Sequence, residues 1–394
     1  MHFAPLPLMP LLRRSRRVRD GPPPRDPQSG QCKATRIDDV EISAKRSTDL
    51  LTGRMFSVML QALEYSFRSP SMRPPFAVAV AALCLAAAGA ASAQTKINIG
   101  IVTNPTFVHT RAATWFKECL DKQVPGKFDV VIHHSAVLGS ETQVLQQIQL
   151  GTTQMSVSTT GPVEAFVPEI KALEMPFLFP SYEAADKVLD GPIGQDLRRR
   201  FEKAGFVALA FLDNGFRNVT NSRRDVKEPS DLKGLKIRTM EAPTHLAIWR
   251  ALGANPTPMA WPIFTQLQQG VIDGQENPIA VIHAAKLPEA GQKYLSLTRH
   301  VYSALVFVAN KRFVDGLPAA ERKAVGECAQ TAALAGRRYI RDNERQQLAE
   351  LKAAGMQVDE NPDLAAFRKA TQPVIDSLSG DTKKLVEQIR AEVK

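Results

Sequence analysis

Two side chains 39 positions apart carry the clearest chemistry in this sequence. Arg238 closes an apolar run in LKGLKIRTMEAP, and Asn277 stands beside Pro278 in GVIDGQENP, with ALGANPTPMAW between the two segments. A guanidinium is always charged, and its planar fork of donors fits a carboxylate through two parallel hydrogen bonds. The implied ligand is an organic anion. Signatures of catalysis are missing by comparison: there is no G-x-G-x-x-G, P-loop, H-E-x-x-H, G-x-S-x-G or C-x-x-C. His133 and His134 are neighbours on a strand pattern, so they face opposite sides and cannot chelate one metal together. Ser140 in LGSE has no base near it in sequence and reads as a helix N-cap.

The elements that must position these residues follow from periodicity. From Lys96 onward, short apolar runs alternate with helical periods, the pattern of a parallel-sheet α/β fold. KINIGIV, KFDVVIHH and MSVSTT predict strands; TRAATWFKECLDK and ETQVLQQIQL predict helices between them, the second stopped by Gly151. Ligands of such sheets sit at the carboxyl ends of strands, which points to residues 103–106 and to Thr159 and Thr160 as pocket walls. FVALAFLDNGF predicts a further strand, and a second unit is expected to begin after Gly215. LKGLKIRTM is its strand, and TMEAPTHLAIWRALG and PIAVIHAAKLPEAGQKY are its helices. SALVFVANKRF predicts a strand returning to the first unit. A helix follows over 319–353, long enough to reach both units, with Val325, Cys328, Leu334, Tyr339 and Leu348 as apolar positions. A chain that crosses between units two or more times makes a hinge. Trp115 and Trp249 occupy apolar positions of helices and read as core.

Composition narrows the class. The 394 residues are 44% hydrophobic with a formal charge of +10, but twelve Arg and Lys against seven Asp and Glu lie within residues 1–71. With these and Arg73 set aside, +4 remains for residues 94–394, so the basic balance gives little support to a nucleic-acid partner. After Met72 and Arg73 comes PPFAVAVAALCLAAAGAASA, an uncharged apolar run ending in a small-residue site, the pattern of a signal peptide at 72–93 cleaved after Ala93. Residues 1–71, rich in Pro and Arg, are expected to be a non-native or disordered leader, with translation starting at Met72. Cys119 and Cys328 remain beyond the cleavage site. Pairing in an oxidising compartment and burial as free thiols both fit their helical patterns.

The segments AVLGSETQVLQQIQLG, EMPFLFPS, DLKGLKIRTMEAP, ALGANPTPMAW and GVIDGQENP, in this order, resemble the extracytoplasmic solute-binding subunits of TRAP (tripartite ATP-independent periplasmic) transporters, over about residues 96–390. The resemblance implies a two-lobed periplasmic-binding-protein-like α/β fold with a hinge and a long inter-lobe helix. Lobe I is expected over 94–215 with 304–343, and lobe II over 216–303 with 344–394. A periplasmic monomer is implied that captures a small organic acid and delivers it to membrane permease subunits, with no chemistry on the ligand, no cofactor and no metal. Arg238 matches the family arginine that pairs with the ligand carboxylate, Asn277 the asparagine holding it from another side, and Arg217 a second arginine near it. Trp261 falls where an aromatic residue packs on the carbon frame, and Glu141 where some members contact the far end. Thr159, Thr160 and His109 are candidates for reading that end. The family pattern usually has an acidic residue after the tryptophan, and Trp261-Pro262-Ile263-Phe264 is one residue shorter. Pro162 stands where the sialic-acid branch carries a second arginine, so that branch is not implied. Dicarboxylates, keto and hydroxy acids, sugar acids and aromatic acids stay open. Alternatives are a binding subunit of another importer or sensor, or an exported enzyme that positions a carboxylate with Arg238.

Overall fold

A computed structural model describes residues 94–394; the expected leader, signal peptide and cleavage site lie outside the described residues. The chain runs β1 (Thr95–Gly100), α1 (Val108–Gln123), β2 (Phe128–His133), α2 (Glu141–Leu150), β3 (Met155–Thr159) and α3 (Thr160–Val163). A 3-10 segment, Pro168–Glu174, leads to α4 (Tyr182–Asp190), α5 (Pro192–Arg200) and β4 (Phe206–Asn221). Then follow β5 (Lys236–Thr239), α6 (Pro243–Ala251), β6 (Asn255–Pro258), α7 (Phe264–Gln268), β7 (Gly274–Pro278) and α8 (Ile279–Ala284). The chain closes with β8 (Tyr294–Asn310), α9 (Lys311–Gly316), α10 (Ala319–Ala353), β9 (Gln357–Asp359), α11 (Leu364–Asp376) and α12 (Gly380–Glu392). Ser140 caps α2 in a reciprocal capping box with Gln143, and Gly151 ends it in the left-handed region.

The strands order as β2-β1-β3-β8-β4-β7-β5-β6, with β9 on β8. β1 runs parallel to β2 and β3, and β5 parallel to β6 and β7, so two parallel half-sheets flank the antiparallel pair β4 and β8. Those two strands are 16 and 17 residues long and pass through both halves. The sequence reading ended the first strand at Phe216; instead it continues through RNVTN, buried throughout, and bends at register shifts such as that between Asp213 and Gly215. Gly215 has φ +120°, and a Cβ there would lie 3.1 Å from Pro278 and 3.2 Å from the Tyr182 hydroxyl. A side chain at this bend would be strained by the backbone angle and crowded by both neighbours.

Each half-sheet is covered on both faces, giving two three-layered lobes. Phe116, Leu120 and Val325 pack on one face of the first, and Ile148, Val188 and Leu197 on the other. In the second lobe Trp249 and Phe367 pack with Ile237, while Leu267, Ile282 and Leu351 cover the opposite face. α10, 35 residues and roughly 50 Å long, therefore has Val325 in one lobe's core and Leu351 in the other's. Leu334, expected on its apolar stripe, is 41% exposed because that stripe faces the core through Ala332 and Ala333 instead. Cys119 and Cys328 are disulfide-bonded with Cα atoms 5.5 Å apart, joining α1 to α10. The expected boundary gave 344–394 to the second lobe. α11 follows it through Phe367 and Val374, whereas α12 returns to the first lobe, where Leu385, Val386 and Ile389 find their apolar cover beside Ile170 and Leu197.

Candidate ligand-binding site

Arg238 is the penultimate residue of β5, in register with Thr257 of β6 and Gln275 of β7. The strand is buried from Ile237 onward, so its carboxyl end delivers a charged side chain into a closed interior. The Nε–H donates to the Met259 carbonyl at 2.8 Å, and the guanidinium lies 5.7 Å from the Trp261 ring centroid. Its terminal NH groups make no hydrogen bond among the described residues. Burial pulls its pKa down to about 10, which leaves it charged at neutral pH.

These NH groups belong to a cavity lined from both lobes. Arg238, Asn277, Arg217, Trp261, Glu141, Thr159 and His109 all line it, together with Val102 and Thr103 beyond the end of β1. Of the expected site residues, Thr160 is the exception: its hydroxyl donates to Glu174 and to the Ala304 carbonyl at 2.8 Å, away from the cavity. Thr160 already belongs to α3, and the turn from strand to helix after Thr159 carries its side chain away from the cavity. Trp261, whose placement was uncertain from the shortened motif, lines the cavity from the loop before α7.

Arg217 is committed elsewhere. It is fully buried, and its Nε and Nη2 both donate to the Glu276 carboxylate, Nη2 at 2.9 Å. Glu276 also accepts from the His300 ring at 3.1 Å and lies 3.4 Å from His245 Nδ1, while His245 Nε2 donates to Glu174 at 2.9 Å. Burial opposes the Glu276 charge, but Arg217 and His245 hold its carboxyl well below the usual range. Burial likewise opposes the His245 imidazolium, and Glu276 and Glu174 hold it at about 9. This buried chain of charges runs from Glu174 in the first lobe through His245 and Glu276 in the second. Sequence reading passed over Glu276, His245 and Glu174. The available signal was a glutamate inside an otherwise buried strand, which needs a cationic partner.

The other wall reads differently. Glu141, at the start of α2, accepts the Thr159 N–H at 2.6 Å, and its pKa is raised by burial against that hydrogen bond and the pull of Arg238. Asn214, also missed in the sequence, is buried with its Oδ1 lacking a partner among the described residues, and the same holds for His109 Nδ1. Unpartnered or acidic groups therefore dominate what the first lobe contributes to the cavity. Among the described residues no group of three or more His, Cys, Asp or Glu is placed to hold a metal ion.

His109 carries a pH signature. Burial, and then the charge on Arg217, lower its pKa from 6.5 to about 3. Below pH 6.5 the unfolded chain binds a proton that the folded chain refuses, so stability falls as pH drops from 6.5 toward 3. The loss from this residue is about 3 kcal/mol at pH 4. A His109→Gln variant should show a shallower acid limb in urea melts at pH 7 and pH 4; an unchanged limb would refute the assignment.

Two lobes joined by hinge strands and closing on a cavity with one uncommitted arginine define a solute-binding protein. The chain belongs to the DctP family, bacterial extracellular solute-binding protein family 7, which residues 99–381 match. It is 44% identical over 303 residues to a solute-binding protein of Verminephrobacter eiseniae, spanning 76% of this chain and 90% of the relative. It is 36% identical over 296 residues to the 2,3-diketo-L-gulonate-binding periplasmic protein of Escherichia coli K12, spanning 75% and 90%. A TRAP periplasmic solute-binding protein from a Polaromonas species, solved bound to D-erythronate, aligns at a TM-score of 0.73 and 40% identity, over 76% of this chain and 99% of that one. The family and two-lobed α/β fold expected from the motif segments are the ones found.

Proposed function

We propose that this chain captures a small hydroxylated monocarboxylate, of the aldonate or keto-aldonate kind, outside the cytoplasm and hands it to the permease subunits of a TRAP-type transporter. The observation that carries the reading is the asymmetry of the cavity: one cation with free donors from the second lobe, and Glu141, Asn214 and neutral His109 from the first. A carboxylate satisfies the first and hydroxyl donors satisfy the second. A second carboxylate would face Glu141 with no further cation, since Arg217 is already paired with Glu276. The relatives that bind D-erythronate and 2,3-diketo-L-gulonate hold ligands of this pattern. That those relatives are solute-binding proteins supports capture rather than turnover, and the secretory pattern ending at Ala93 supports export.

Thermal melts and calorimetry with D-erythronate, D-gluconate and succinate test this. An aldonate at about 100 times its Kd adds roughly 2.7 kcal/mol of stability, and succinate is expected to bind at least tenfold more weakly, about 1.4 kcal/mol. Succinate binding as tightly as the best aldonate would overturn the reading.

A further inference from the structure

The cavity that holds Arg238 is not the end of the cleft. A second space of about 420 Å³, open toward solvent, is bounded by Asn104, Thr106, Trp261, Phe264, Ala284 and Lys286. Both walls are continuous between the two spaces. On the first lobe the loop after β1 lines the inner cavity with Val102 and Thr103 and the outer one with Asn104 and Thr106. On the second lobe α8 lines the inner cavity with Val281 and the outer one with Ala284, one helical turn further on and so on the same face.

Trp261 lines both spaces, and its indole meets the ring of Phe107 edge to face, with centroids 5.7 Å apart. Phe107, the N-cap of α1, comes from the first lobe and Trp261 from the second, so their contact closes the cleft across the two lobes.

We propose that Trp261, braced by Phe107, is the partition that sets how bulky an acid the protein accepts, and that the outer space is a latent subsite for a glycosyl branch on the chain of that acid. The inference rests on the aldonate reading above. The outer space has the chemistry for a sugar ring. Trp261 and Phe264 offer aromatic faces to its C–H side, and Thr106 and Asn104, joined by a 2.6 Å hydrogen bond, present exposed polar groups to its hydroxyls. With the indole in place, an acid whose carboxylate sits on Arg238, 5.7 Å from the indole, has no path into the outer space for a branch on its chain. With the indole removed, the two spaces merge.

The test is calorimetric titration of the purified protein with D-erythronate, D-gluconate and lactobionate, a galactosyl gluconate whose acid end matches gluconate. In the wild type affinity should fall along the series, with lactobionate at least about 100-fold weaker than the tightest short acid. Trp261→Ala should bind lactobionate at least about tenfold more tightly than wild type while losing about tenfold on the tightest short acid, the aromatic contact being gone. Phe107→Ala attacks the partition from the other lobe and should shift the same ratio in the same direction, which keeps the test decisive if one variant fails to fold. Wild-type protein that binds lactobionate within a few-fold of the short acid, or variants whose lactobionate-to-short-acid ratio stays at the wild-type value, would overturn the partition. Failure of every aldonate to bind the wild type would instead overturn the functional reading, and the partition with it.

Discussion

Arg238→Ala is expected to leave a folded protein that no longer retains its acid, with affinity lower by about two to three orders of magnitude. Breaking a buried charge pair from one side costs about 2–5 kcal/mol, and each 1.4 kcal/mol is tenfold in Kd. Nothing else in the cavity can take over. Arg217 gives its Nε and Nη2 donors to Glu276, and moving it to the ligand would strand that buried carboxylate. The fold should survive because, among the described residues, the only hydrogen bond lost is to the Met259 carbonyl, and a buried charge whose own pKa is depressed goes with it. Arg238→Lys should recover only part of the loss, because one ammonium cannot reproduce an Nε–H on Met259 together with a two-pronged grip on a carboxylate. Calorimetry on whichever aldonate stabilises the wild type gives the answer. Affinity within threefold of wild type in Arg238→Ala would remove Arg238 from the site.

How much of this was legible in the sequence depends on how local the physics is. Arg238 was readable because a lone cation at the end of an apolar strand is a conflict that only a partner resolves. Ser140 and Gly151 were readable because capping is settled within four residues, and 319–353 because a helical period needs no distant information. The pairing of Cys119 with Cys328 was not, since it depends on how α1 crosses α10, 209 positions later. Nor was the continuity of β4: a glycine after a polar pair reads as a break, but here the β8 ladder carries the strand through a bulge. The position of α12 was set by an uncovered face on the first lobe, which no window of its own residues encodes. Thr160 and Thr159 look alike in sequence, and the strand-to-helix turn between them decides that one faces the cavity and the other Glu174. Asn214 and Glu276 were missed for a shared reason: the environment that gives each its meaning comes from segments scattered between Glu174 and Ser303.

Glu276 is where that scattered network is most exposed to a single change. Glu276→Gln preserves shape but removes the anion that Arg217, His245 and His300 all address, and it turns an amide NH₂ toward donors. Losing one partner of a fully buried charge cluster costs about 3–5 kcal/mol, so the variant should unfold at markedly lower urea. Its pH dependence separates this from a simple packing defect. His245 is raised from 6.5 to about 9 in the folded protein. Its contribution is therefore complete below pH 6.5 and drains away as pH climbs through 9, about 3 kcal/mol over that window. With Glu276 neutral, His245 keeps only Glu174 to oppose the cost of burial, so its pKa falls and the alkaline loss shrinks. Binding should suffer as well, because the Glu174–His245 link joins the first lobe to the second, and Arg217 is released beside Arg238, where two unpaired cations compete for one carboxylate. Urea melts at pH 6.5 and pH 9 on both proteins test the whole chain of reasoning: equal stability at pH 6.5, or an alkaline limb as steep as that of wild type, would mean that the charge on Glu276 is not what holds these residues in place.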